Sequence, residues 1–198
     1  MKIIEPSVEL IGNINPAEIL AKIERCGRVS HMSESKGNPE DFIRKIIKRG
    51  HESVLEHVSL TFHIICDRAI MSELTRHRLA SPTVESTRFV KYGDGLTIVD
   101  PGDIYNEIAF KNAMKAVQDA YQVLIEKYPP EEARSVLPLC LKSELYMTAN
   151  LRELRHILKL RTSKHAHPQM RFVAGQILNI LRDKLPVIVE DIQPCLPE

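Results

Sequence analysis

Across residues 58–65 apolar and polar side chains take turns, with Val58, Leu60, Phe62 and Ile64 on one side and Ser59, Thr61 and His63 on the other. A period of two is that of a strand with one face in a core, and such a strand needs partners. Most of the chain keeps a different period. "NPAEILAKIERCG" and "NPEDFIRKIIKRG" each open on Asn-Pro, an N-cap followed by proline at the first helical position, and each ends on glycine. Both frames predict short helices. From Ile108 the residues Phe110, Met114, Val117, Tyr121, Leu124 and Tyr128 recur at three and four until Pro129-Pro130, predicting a long amphipathic helix. "AIMSELTRHR" predicts a helix ending in a basic cluster, and "STRFVKYGDGLTIVDP" a strand region broken at Gly93-Asp94-Gly95. "EEARSVLPLCL" predicts a short helix, "SELYMTAN" a strand, and "LRELRHILKLRTS" and "PQMRFVAGQILNILRDKL" the last two helices. The fold class that follows is α/β (α+β).

No repeat and no Pro/Gly-rich linker divides the 198 residues, which predicts a single domain over residues 1–198. Cys26, Cys66, Cys140 and Cys195 are far apart with no paired spacing, which argues against a disulfide framework and a zinc site. With no signal-peptide-like N-terminus and no apolar run of membrane length, a cytoplasmic protein without membrane contact is expected. A formal net charge of +1 gives no overall attraction to nucleic acid, so anions must be bound by local clusters.

One such cluster is "RHRLASPTVESTRF", which holds Arg76, His77, Arg78 and Arg88. Cations at a helix end also complement its dipole and are often merely solvated. A second clue lies in residues 151–161. At about 100° per residue Leu154, Ile157 and Leu158 share one arc, Arg161 falls within it, and Arg155, His156 and Lys159 fall opposite, on a face expected to be solvated. A guanidinium aimed at a core must meet an anion or a strong acceptor, unless the helix has frayed by then. Other constellations are weaker. His51 and His57 in "HESVLEH" have the wrong spacing for the two-histidine zinc helix, His165 and His167 read as solvated loop residues, and no metal is expected. Neither glycine-rich phosphate motif occurs, so phosphates would be held by side chains.

Arg76-His77-Arg78, seven residues, then Ser86 resembles the R-H-R-x7-S signature of the flavin-dependent thymidylate synthases, the ThyX family. "HESVLEHVSLTFHI" resembles the family's H-x-S-x-x-E-H-x-x-x-T-F segment, "EARSVLPL" its E-A-R-x-V-L-P block, and "NLRELRHILKLR" its N-x-R-E-L-R-H-F-x-x-L-R helix. These blocks run in family order from about residue 27 to residue 192. The resemblance implies a ThyX-like twisted mixed β-sheet flanked by helices, a homotetramer with shared active sites, and reductive methylation of dUMP to dTMP. Methylenetetrahydrofolate gives the carbon, FAD carries hydride, and NADPH re-reduces the flavin.

It also implies site residues. His51, Ser53, Arg76, His77, Arg78, Asn150, Arg152 and His156 fall at flavin-contacting positions. Glu73, Arg76, Glu85, Ser86, Thr87, Arg88, Arg134 and Arg161 fall around dUMP. Planar arginine forks suit the phosphate oxygens of both ligands. Arg161 matches the arginine that meets the pyrimidine and favours its N3-deprotonated form, the catalytic role. Ser86 has no histidine placed to activate it and is expected to bind phosphate or substrate. The chain departs from the family at Val84, where a polar residue is usual, at Glu73, and at "HAHPQMR". Two rivals follow: a flavin- or nucleotide-binding paralogue without methylation, and an RNA-binding module using the Arg152, Arg155, Lys159 face.

Overall fold

Both Asn-Pro frames form their helices, capped as the sequence predicts. The computed structural model describes residues 1–34 and 37–194, and Cys195 lies outside the described residues. In chain order come β1 (Lys2–Ile4), β2 (Ser7–Leu10), α1 (Pro16–Arg28), α2 (Pro39–Lys48), a 3-10 segment (Glu52–His57), β3 (Ser59–Asp67) and α3 (Arg68–Leu74). β4 (Ser81–Val84), β5 (Thr97–Val99), α4 (Ile108–Lys127), α5 (Pro130–Ala133), β6 (Lys142–Asn150), α6 (Leu151–Arg161), α7 (Pro168–Lys184) and α8 (Pro186–Val189) complete the order. The Asn15 side chain accepts from the Glu18 amide and the Asn38 side chain from the Glu40 amide, with proline in the first turn of each helix. The fold is mixed α/β. β1 pairs in parallel with β5, and a second sheet has the order β2-β3-β6-β4. Thr61 and Thr148 share a 2.8 Å hydroxyl hydrogen bond, and the apolar members of the alternation within β3, Leu60, Phe62 and Ile64, are buried.

The described residues fall into two compact units. One comprises Met1–Ser7, Ile64–Arg76 and Pro82–Tyr146; the other comprises Val8–His63, His77–Ser81 and the described residues from Met147 on. In the first, Leu96, Tyr121, Ala133 and Leu141 form a buried cluster against which Val117 and Leu124 of α4 pack. Val117, Tyr121 and Leu124 of the α4 stripe are therefore core, Met114 is buried as well, and Tyr128, just past the helix, is half exposed. In the second, α1 packs on α2, α6 on α7, and α7 on α8, burying Ile23, Ile43, Leu154, Ile157, Leu158 and Ile177 completely. No helix of the described residues is long and apolar enough to cross a membrane.

Several boundaries differ from expectation, each for a local reason. α1 runs through Gly27, because this glycine serves packing rather than termination. A Cβ there would stand 2.7 Å from Phe42 Cζ of α2. Gly50 does end its frame, at φ +72°, where a left-handed residue closes the helix. α3 stops at Leu74, so the basic cluster lies in the loop beyond it rather than on its last turn. Ser86 to Lys91 is not a strand: the Ser86 carbonyl accepts from both the Phe89 and Val90 amides, curling the segment into a turn. The "EEARSVLPLCL" helix is only α5 and one 3-10 turn. β1, β2, β4 and α8 carry too few residues to show a period. His167 is more than a solvated loop residue, since its Nδ1 accepts from the Gln169 amide and caps α7.

Candidate active site

Asn150 ends β6 and caps α6, its Oδ1 accepting from the Glu153 amide at 2.9 Å. This fixes the phase of the helix that follows. Arg152 and His156, four apart and both exposed, point the same way and line a cleft of about 510 Å³ with Asn150, Glu153, Lys159, Leu79, Glu52 and Glu56. Glu52 and Glu56 come from the 3-10 segment, which packs on α6. His51 and Ser53, both exposed, flank Glu52 in sequence, and Arg78 precedes Leu79. Arg152 Nη1 donates to Glu56 Oε1 at 2.6 Å across the surface.

Behind the cleft lies a buried set. His77 is 6% exposed, and its Nε2 accepts from Arg161 Nε at 3.0 Å. Its Nδ1 faces Glu153 Oε1 at 3.5 Å, and its ring meets that of His156 edge-on, with centroids 6.0 Å apart. Burial, then the Arg161 and His156 charges, push the His77 pKa down to about 4, so the ring is neutral at physiological pH. Burial likewise raises the Glu153 carboxyl. α6 stays helical through Arg161, which is half-buried, and the acceptor its inward phase demands is an imidazole nitrogen.

Arg155 does not sit on a solvated face. It is 1% exposed, because the buried arc of α6 is widened by the 3-10 segment and α8. Arg155 Nη1 donates to the Ile188 carbonyl and to Asp191 Oδ1 at 2.7 Å, and Nη2 to Asp191 Oδ2 at 2.8 Å and Glu52 Oε1 at 3.1 Å. Lys159 lies 3.6 Å from both Glu52 and Asp191. The cations of this face are thus matched by carboxylates, which removes the basic stripe that RNA binding requires.

The residues expected around dUMP gather mostly in the other unit. Glu85 Oε1 accepts from the Tyr92 hydroxyl at 2.6 Å and Oε2 from Lys142 Nζ at 2.8 Å, while Lys142 also meets Glu144 at 2.5 Å. Burial opposes the Lys142 charge, yet its bonds to Glu144 and Glu85 keep its pKa above the ordinary value. Ser86 Oγ accepts from the Arg88 amide, and buried Thr87 is 3.5 Å from Arg68 Nη1. Arg88 donates to the Glu131 carboxylate at 2.8 Å and Arg134 to the Glu131 carbonyl at 3.2 Å, so both cations converge on one residue. Arg76 is exposed, its amide bonded to the carbonyl of half-buried Glu73. Arg161 and His77 belong to the unit of the cleft.

Sequence reasoning missed Glu52, Glu56, Glu131, Lys142, Tyr92 and Glu153. Only Glu153 had a readable signal, a carboxylate at the edge of an apolar arc. No group of three or more His, Cys, Asp or Glu able to hold a metal occurs among the described residues.

A family model described as "Thymidylate synthase complementing protein" matches residues 10–187. A flavin-dependent thymidylate synthase of Geobacter sulfurreducens is 39% identical over 163 residues, 78% of this chain and 70% of that protein. This chain belongs to the flavin-dependent thymidylate synthase family. A member from Mycobacterium avium is 32% identical over 198 residues, 87% of this chain and 79% of its own. Among solved structures, the UMP/dUMP methylase PolB from Streptomyces cacaoi bound with 5-Br dUMP superposes with a TM-score of 0.82 at 26% identity, covering 100% of both chains. Side chains of the cleft can present donors to a ligand. Arg152 and His156 are exposed, and Asn150, having used Oδ1 on the cap, keeps Nδ2 as the donor it can present.

Proposed function

We propose that this chain makes dTMP from dUMP, with methylenetetrahydrofolate as carbon donor, FAD as the hydride carrier and NADPH as the reductant that restores it. The observation that carries the reading is the pinned, half-buried Arg161, held by the histidine of the R-H-R-x7-S signature in a chain of this family. Hydride chemistry belongs to the flavin when it is bound; the chain binds, orients and supplies fixed charge. Asn150, Arg152 and His156 would hold FAD from α6, with His51, Ser53, Arg76, His77 and Arg78 from the neighbouring loops. Glu73, Arg76, Glu85, Ser86, Thr87, Arg88 and Arg134 would surround dUMP, with the Arg88 and Arg134 forks suited to its phosphate. A phosphate there would compete with the Glu131 carboxylate for Arg88 and with the Glu131 carbonyl for Arg134. Arg161, at the pyrimidine ring, would stabilise negative charge at N3 and so enrich C5 for attack on the one-carbon unit. The same reading includes a single functional domain, a family match that spans both units being its support, and a cytoplasmic homotetramer with active sites shared between chains.

Tritium release from C5 of labelled dUMP tests the reading. Release that requires FAD, NADPH and methylenetetrahydrofolate together is expected. Flavin binding without release would identify a paralogue that binds and does not methylate.

A further inference from the structure

Arginine has only donors, so the atom that receives Arg161 Nε–H at 3.0 Å presents a lone pair. That atom is Nε2 of His77, and a neutral ring with a bare Nε2 carries its proton on Nδ1. Nδ1 in turn faces Glu153 Oε1 at 3.5 Å. Glu153 stands in the first turn of α6 and Arg161 at its last residue, while His77 arrives from a separate segment and spans the two turns between them. His77 and Glu153 are 6% and 5% exposed, so water is poorly placed to substitute for either contact.

We infer that Glu153 is a positioning residue for Arg161, acting through His77: its carboxylate selects the Nδ1–H tautomer, and the bare Nε2 then fixes the plane of the guanidinium. The opposite tautomer would set Nε2–H against Arg161 Nε–H, two donors facing each other, and would turn Arg161 out of its place. The other charged and titratable groups facing the ring are Arg161, which has only donors, and His156, whose ring meets that of His77 edge-on at 6.0 Å between centroids; the acceptor the structure places beside Nδ1 is Glu153. The link from Arg161 to turnover rests on the proposed function; the link from Glu153 to the tautomer does not.

Long-range proton–nitrogen NMR on the full-length protein with labelled histidine reads the tautomer with no ligand and no turnover. His77 with hydrogen on Nδ1 near neutral pH is the expected result, retained in Glu153→Gln, whose amide oxygen still accepts, and lost in Glu153→Ala. In the FAD-loaded protein, Glu153→Ala should lower kcat for dTMP formation about tenfold or more through misplacement of Arg161. Glu153→Gln should recover most of kcat. A wild-type His77 found with hydrogen on Nε2, or as imidazolium, overturns the inference, as does an alanine variant with unchanged kcat or a glutamine variant as impaired as the alanine one. If the alanine variant does not fold, the wild-type tautomer and the glutamine variant decide. A wild-type protein with the expected tautomer that makes no dTMP contradicts the proposed function and leaves the tautomer assignment standing.

Discussion

At Arg161 charge alone is not enough, because the Nε contact to His77 uses one edge of a planar fork that lysine lacks. Arg161→Lys is expected to lower single-turnover dTMP formation about a hundredfold, near 3 kcal/mol, with FAD titration unchanged. Near-normal formation would remove the proposed role. His77 also sets a pH dependence of stability. Unfolded, the ring takes a proton near its ordinary 6.5; folded, it resists until about 4. Within that window the unfolded chain binds more protons, so stability falls as pH falls, by up to about 3 kcal/mol across the window. Urea unfolding at successive pH values should show this slope, and His77→Gln should flatten it. Helical phase made the inward aim of Arg161 legible. The partner was not, since His77 is 84 residues away in sequence and only the fold brings it near.

Among elements, α6 shows why phase is a partial guide. The same geometry that placed Arg161 correctly set Arg155 on the outside, because the surfaces covering it, α8 and the 3-10 segment, have no period of their own to be read. Removing one partner of a buried, hydrogen-bonded ion cluster leaves uncompensated charge. Arg155→Ala is therefore expected to cost about 3 kcal/mol or more in urea unfolding, with Asp191 and the Ile188 carbonyl losing their donor. A loss under about 1 kcal/mol would show that the cluster does not secure α8 to α6. Gly27 makes the matching case for α1 and α2. It reads as a stop signal, yet it lies inside the helix, where Phe42 leaves no room for a methyl group. Gly27→Ala should destabilise by about 1–3 kcal/mol, and Phe42→Leu in the same chain should offset part of that loss.

On the scale of the whole molecule, the class of fold was legible because two periods alternate along the chain, and the two Asn-Pro helix starts and β3 form where they predict. The short strands at the N-terminus and β4 were not, since three or four residues acquire meaning only from the neighbour they pair with. The expected site residues separate likewise: those of α6 and the cleft in one unit, and most of those expected around dUMP in the other. If sites are shared between chains, flavin retention should depend on association. Light scattering across a dilution series is expected to report a tetramer whose dissociation releases FAD; a monomer holding FAD at full stoichiometry would contradict shared sites. The most direct measurement of all is an anaerobic single turnover, in which protein carrying reduced FAD is mixed with dUMP and methylenetetrahydrofolate and the nucleotide product is separated. One dTMP formed per reduced flavin, with the flavin oxidised in step, is the expected result. Flavin that stays reduced beside unchanged dUMP would contradict the account.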